Sequence, residues 1–232
     1  MDRRTFTVTM ITAAVTTLFV SSSALAGPPL ESGRFKAPDL VELVTLDPTI
    51  KLDVRYATPH NFLGMTLYKQ ARAFLQRPGA EALVRVQRAL ARQGLGLMVF
   101  DGYRPWRVTK LMWDRSRPEW RSGGYVADPA KGSRHNRGCA VDLTLYDLAS
   151  GQPLEMPTGY DDFHVQAHAD AQNVTPQAKA NRTKLQRAML AEGFRILDEE
   201  WWHFDYHDYR SYRILDVDFA DLTTSSSPAL SR

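Results

Sequence analysis

The sequence runs to 232 residues, with 29 basic and 26 acidic side chains and a net charge of +3. A surface so evenly mixed argues against nucleic acid or a membrane as partner. Cys139 is the only cysteine, which excludes an intramolecular disulfide.

Residues 1–26 follow the order of a secretory signal: a basic stub at Arg3-Arg4, an apolar run from Phe6 to Val20, then Ala24-Leu25-Ala26. Cleavage is expected after Ala26, and with it an exported protein, periplasmic or secreted. The apolar run falls short of the ~20 residues a membrane span needs, so no stable membrane association is expected after cleavage. Residues 27–222 suit one domain with a real core. Residues 223–232, Ser-rich and polar, read as a disordered tail.

Along the chain, 51–56 alternates as a strand and is broken by Ala57-Thr58-Pro59. A helix over 78–93 has Pro78 at its start, Leu83, Val86 and Leu90 on one face, and Gly94 past its end. A short buried strand follows over 95–100, ending at Asp101-Gly102-Tyr103-Arg104-Pro105, and 106–115 reads as helical. The segment 139–145 is the clearest strand, with Cys139, Val141, Leu143 and Leu145 on one face and Ala140, Asp142 and Thr144 on the other. Thr175-Pro176 opens a last helix that stops at Gly193, and 194–197 and 202–206 add two strands. Helices separate from turn-linked strands indicate an α+β fold, its central sheet mostly antiparallel and flanked by helices.

Two segments carry the chemistry. Ser133-Arg134-His135-Asn136-Arg137-Gly138 leads into the strand bearing Asp142, and Glu200-Trp201-Trp202-His203 follows about sixty residues later. His135 and Asp142 converge only if the chain bends between them, and Gly138 is placed for that bend. With His203 they make a two-imidazole, one-carboxylate donor set suited to zinc. Glu200 lies three residues before His203, so a regular strand would put the two on opposite faces. Their convergence requires the strand to begin after Glu200 or to bulge there. Surrounded by Trp201, Trp202 and Phe204, the Glu200 carboxyl would be pushed up towards the range of a general base. Arg104, held by a following proline, is a cation for an oxyanion or a salt-bridge partner of Asp101. His164 and His168 have helical i, i+4 spacing but lack the Glu of a zinc-protease helix, which makes them a weak rival. Cys139 reads as a small buried strand residue rather than a nucleophile.

The chain resembles the VanX-type D-alanyl-D-alanine dipeptidases over nearly all of 27–222. The resemblance rests on Asp53-Val54-Arg55-Tyr56-Ala57-Thr58 with Asn61-Phe62 and Gly64, on Asp101-Gly102-Tyr103-Arg104-Pro105, on Ser133-Arg134-His135 with Gly138, Ala140 and Asp142-Leu143-Thr144-Leu145, and on Glu200-Trp201-Trp202-His203. It implies the zinc fold shared with hedgehog domains and D,D-carboxypeptidases, and one Zn2+ per chain on His135, Asp142 and His203. It implies Glu200 as general base in the attack of zinc-activated water, and Arg104 at the oxyanion. It implies Ser133 and Tyr56 at the carboxylate of a small D,D-dipeptide and Asp161 at its ammonium, with Asp162 an equally placed acid. An exported enzyme of this kind would serve cell-wall dipeptide recycling. The alternatives are a murein D,D-carboxypeptidase or endopeptidase of the same fold and a non-catalytic zinc-binding domain.

Overall fold

The computed structural model describes residues 27–222, so the expected signal (1–26) and tail (223–232) lie outside the described residues. In chain order the elements are β1 (Leu40–Glu42), α1 (Leu43–Leu46), β2 (Lys51–Leu52), β3 (Phe74–Gln76), α2 (Arg77–Ala91), β4 (Leu95–Asp101) and α3 (Trp106–Arg115). Then come α4 (Pro118–Ser122), β5 (Ala140–Asp147), α5 (Pro176–Ala191), β6 (Phe194–Leu197) and β7 (Glu200–Tyr206). Five strands form the main sheet in the order β2-β4-β5-β7-β6, and β1 pairs with β3 in a separate ribbon. Only the β2–β4 pair is parallel. The expected α+β class and mostly antiparallel sheet are what the chain forms.

Local chemistry accounts for the helices. Pro78 sits in the first turn of α2, where its missing N–H costs nothing, and Gly94 adopts φ +74° just beyond the end. Thr175 caps α5, its hydroxyl accepting from the Ala178 N–H at 3.0 Å, and Gly193 at φ +86° ends that helix region. Leu83, Val86 and Leu90 of α2 and Leu185 and Met189 of α5 pack with Val141, Leu143 and Leu145 of β5 in the larger core. Each fully buried aliphatic side chain contributes about 1.5–3 kcal/mol relative to exposure. A second cluster, built on Tyr56, Tyr68, Phe74, Tyr103 and Phe219, underlies the other end of β4.

The strand expected over 51–56 is shorter. Only Lys51–Leu52 pairs with β4, and Arg55–Ala57 winds into a 3-10 turn. The chain leaves the sheet after Asp53, whose N–H still donates to the Val99 carbonyl at 2.9 Å, so that Tyr56 enters the second core. Burial of a large ring there outweighs the β-tendency of the segment.

Candidate metal and active site

β5 and β7 are neighbours in register, with Asp142 directly opposite His203. The even-numbered residues of β5 therefore present Asp142 to the site while Val141 and Leu143 fill the core. His135 arrives from a single 3-10 turn, His135–Arg137, that ends at Gly138 with φ +67°. A Cβ on Gly138 would overlap the Leu40 side chain, so both backbone and space demand glycine at the bend.

His135 Nε2 lies 3.2 Å from His203 Nδ1, and His203 Nδ1 lies 3.0 Å from Asp142 Oδ1. His135 Nε2 is also 3.5 Å from Asp142 Oδ2. Donors bound to one zinc at about 2.0–2.2 Å stand roughly 3.3–3.5 Å apart in a tetrahedron, which matches this spacing. The outer partners settle which nitrogen faces inward. His135 Nδ1 is 2.8 Å from the Gly102 carbonyl, which only an N–H can satisfy, leaving Nε2 as the donor atom to a metal. His203 Nε2 is 3.0 Å from Asp205 Oδ1, which places its proton there and leaves Nδ1 facing inward. Burial opposes a charged His203, yet the hydrogen bonds its ring donates to the Asp142 and Asp205 carboxylates prevail and, with no metal bound, raise it to about 10. Burial also opposes an ionised Asp142, but the two imidazoles hold its carboxyl far below the usual range. The trio is a place built for positive charge, and zinc fits it.

Around the trio sit the other expected residues. Glu200 Oε2 is 3.8 Å from His203 Nδ1. The bulge that this requires is present: Leu197 pairs with Glu200, but the preceding Ile196 pairs with Phe204. The strand begins at Glu200 and carries it onto the side of His203. Burial, reinforced by the Asp142 and Asp161 carboxylates, pushes the Glu200 carboxyl up to about 8 against the pull of His203 and Arg104. Arg104 makes the ion pair foreseen with Asp101, at 2.8 Å, and its Nη2 stays 3.9 Å from Asp142 Oδ2. The salt bridge with Asp101 is thus present, and Arg104 also lines the cavity with the trio.

That cavity, of about 400 Å³, also takes in Tyr56, Ser133 and Asp161. The Tyr56 hydroxyl donates to Asp161 Oδ1 at 2.9 Å, joining residues that the sequence reading set at opposite ends of a ligand. The Phe62 N–H approaches Asp161 Oδ2 at 3.4 Å, and Asp161 itself holds a left-handed φ of +62°, a conformation that costs of order 1–3 kcal/mol. Burial pushes the Asp161 carboxyl up to about 7, with the Tyr56 hydrogen bond pulling the other way. Asp162 turns out to the surface and pairs with His164. Of the two adjacent acids, the fold brings Asp161 to the cavity.

Residues 36–223 match the family model described as D-Ala-D-Ala dipeptidase. The chain belongs to the D-Ala-D-Ala dipeptidase family. The D-alanyl-D-alanine dipeptidase of Escherichia coli is 35% identical over 182 residues, covering 78% of this chain and 92% of that one. That of Enterococcus faecium is 33% identical over 178 residues, covering 68% and 87%. A solved structure of a variant of the vancomycin-resistance D,D-pentapeptidase VanY, in complex with Zn(II), is 18% identical with a TM-score of 0.37 over 58% of this chain and 73% of that chain.

In this family member the rival histidines do not form a site. His164 and His168 flank a 3-10 turn over Val165–Ala167 instead of sharing a helix face, because the loop is folded around Asp162. Among the described residues the one candidate metal group is His135, Asp142 and His203. Cys139 is buried in the larger core, its thiol reaching the Arg137 carbonyl, and burial drives its pKa well up, which makes it a poor nucleophile.

Two contributors escaped the sequence reading. Asp205 shares the His203 face, a period-two relationship legible on the strand, but its role as the imidazole's partner needed the register. Tyr160 donates its hydroxyl to Asp142 Oδ2 at 2.8 Å. No pattern in the sequence marks it, because its loop is folded back by ring contacts with Phe100 and Trp202, at 4.7 and 5.5 Å between centroids.

Proposed function

We propose that this chain is a zinc-dependent dipeptidase that hydrolyses free D-Ala-D-Ala, with the roles of the cavity residues as follows. The observation that carries the reading is Asp161. A carboxylate gripped by Tyr56 and placed in the same cavity as Glu200 and the metal trio suits a substrate whose ammonium lies one residue from the bond to be cut. Phe62 and Phe163, 5.3 Å apart between ring centroids, flank that end of the cavity. An acid walled in by aromatic rings favours a dipeptide over a long peptide strand, and so disfavours the murein carboxypeptidase or endopeptidase alternative. A non-catalytic zinc domain would need neither Glu200 nor Arg104.

His135, Asp142 and His203 would hold the zinc, which when bound would supply acidification of a water and polarisation of a carbonyl. Glu200 takes the proton from the attacking water and delivers it to the leaving amine as the peptide C–N bond breaks. Arg104, fixed by Asp101, faces the negative charge that develops on the carbonyl oxygen. Asp161 binds the substrate ammonium with Tyr56 holding the carboxylate in place, and Ser133 meets the substrate carboxylate. Export would bring the enzyme to dipeptide released from the wall, which supports a role in recycling D-alanine. Among the described residues no helix is long and apolar enough to cross a membrane.

The test compares hydrolysis of free D-Ala-D-Ala with that of a longer peptide ending in D-Ala-D-Ala, in wild type and in Glu200→Ala. The dipeptide is expected to be the preferred substrate. Glu200→Ala is expected to lose at least about 100-fold in turnover with zinc still bound, since general bases contribute 10²–10⁴. Activity confined to the longer peptide rejects the dipeptidase reading, and an active Glu200→Ala rejects the base. Cell fractionation tests export: a full-length cytoplasmic protein rejects the recycling role.

A further inference from the structure

A free dipeptide carries a carboxylate as well as an ammonium, and a small site that selects it needs a cation at the carboxylate end. Four permanent cations line the cavity: Arg104, Lys131, Arg134 and Arg137. Arg104 is committed to Asp101 through both Nε and Nη2, at 2.9 and 2.8 Å, and its side chain is 10% exposed. Arg137 is spent on Glu31, at 2.6 Å, and on the Tyr212 carbonyl. Lys131 is 84% exposed and 4.0 Å from Asp128, so its ammonium is largely in solvent.

Arg134 differs from all three. Its Nε pairs with Asp205 Oδ2 at 3.0 Å, and its guanidinium lies over the Tyr209 ring at 5.4 Å from the centroid. Those contacts hold the Nε edge of the group, yet the side chain, which lines the cavity, remains 42% exposed. It directly follows Ser133, whose hydroxyl accepts from the His135 N–H at 3.2 Å and so stands beside the trio. A continuous polar chain orders the site: Arg134 to Asp205, Asp205 to His203, His203 to Asp142, and Asp142 to Tyr160, the neighbour of Asp161. Arg134 ends that chain on one side and Tyr160, which precedes Asp161 in sequence, ends it on the other, with His203 and Asp142 of the trio between.

We propose that Arg134, together with Ser133, reads the substrate's C-terminal carboxylate at the end of the cavity opposite Asp161. The proposal rests on the dipeptidase reading. The guanidinium is rigid because Asp205 and Tyr209 hold it, and a preorganised planar cation suits a carboxylate better than the free ammonium of Lys131 does. Because Asp205 also holds His203, Arg134 is both a substrate-binding residue and a support of the zinc ligand, and a test must separate the two.

The experiment uses the zinc-loaded protein with D-Ala-D-Ala and its C-terminal amide, which differ only at the carboxylate. Wild type is expected to favour the acid by roughly 10- to 100-fold in kcat/KM, the range for hydrogen bonds to a charged group. Arg134→Ala is expected to bring the ratio close to one, chiefly through KM for the acid, with Arg134→Lys between. Lys131→Ala is expected to keep the wild-type ratio. A loss in Arg134→Ala that is equal for acid and amide would show that the residue acts only through Asp205, and would overturn the proposal. So would collapse of the ratio in Lys131→Ala. Calorimetric binding of the two ligands in a Glu200→Ala background reads the same preference without turnover. An Arg134-dependent preference for the acid there, with no hydrolysis by the wild type, would sink the dipeptidase reading, and with it the substrate named here, while keeping Arg134 as the residue that binds the carboxylate. Equal binding of acid and amide in that background would sink this one.

Discussion

His203 and Asp205 stand two residues apart on β7 with Nε2 and Oδ1 3.0 Å from one another, both side chains almost fully buried. The carboxylate fixes the imidazole proton on Nε2, so Nδ1 is the nitrogen that faces Asp142 and His135. Asp205→Asn keeps the shape but allows the amide to present either an oxygen or an NH2 group to the ring. Zinc affinity is expected to fall about 10- to 100-fold, the usual cost of losing such an outer partner. Competition with a chromophoric chelator measures it, and unchanged affinity would contradict the role given to Asp205.

The ammonium role proposed for Asp161 ties substrate binding to pH. Its carboxyl is pushed up to about 7 by burial, and only the ionised form attracts an ammonium. KM for the dipeptide is therefore expected to rise as pH falls below about 7, approaching tenfold per pH unit well below that value. The sign for stability is opposite. Between the ordinary aspartate range and about 7 the folded state binds the extra proton, so this residue's contribution is present at low pH and is lost as pH rises through about 7. Asp161→Asn is expected to flatten both dependences, read by steady-state kinetics and by thermal melts across pH 4–8. A KM profile that keeps its slope in the variant would remove Asp161 from the ammonium site.

Gly138 is the hinge between the His135 turn and β5. With φ +67° and Leu40 in the path of any Cβ, Gly138→Ala must move either the turn or the β1 side chain. A cost of about 1–3 kcal/mol is expected from the backbone alone. Because the turn carries His135, zinc affinity is expected to drop with the melting temperature. A variant as stable and as zinc-avid as the wild type would show that the bend does not need glycine.

Cys139 is expected to be silent. Buried in the core with its thiol far above the usual range, it should resist iodoacetamide in the native protein and react only on unfolding. Cys139→Ala is expected to retain zinc and turnover. Rapid alkylation of the native protein, with loss of activity, would contradict this.

Much of this protein was legible from local pattern. The alternation along β5 put Asp142 on the face opposite Val141 and Leu143, and the proline and glycine signals bounded α2 and α5, because periodicity and end chemistry act within a few residues. The spacing of Glu200 and His203 even forced a bulge, which the shifted pairing of Ile196 and Leu197 supplies. What the pattern could not decide was anything set by distant chain meeting distant chain. The strand after Lys51 stopped short because Tyr56 found a core, and its hydroxyl met Asp161, 105 residues away. Tyr160 reached Asp142 only because Phe100 and Trp202 received its ring. The candidate metal donors, and Glu200 beside them, were thus legible in the sequence, since their residue types and spacing already point to the chemistry proposed for them. The choice of Asp161 over Asp162 at the cavity, the tautomers of both imidazoles, and the pairing of Arg134 with Asp205 belong to tertiary packing, which alone brings their partners within hydrogen-bonding distance.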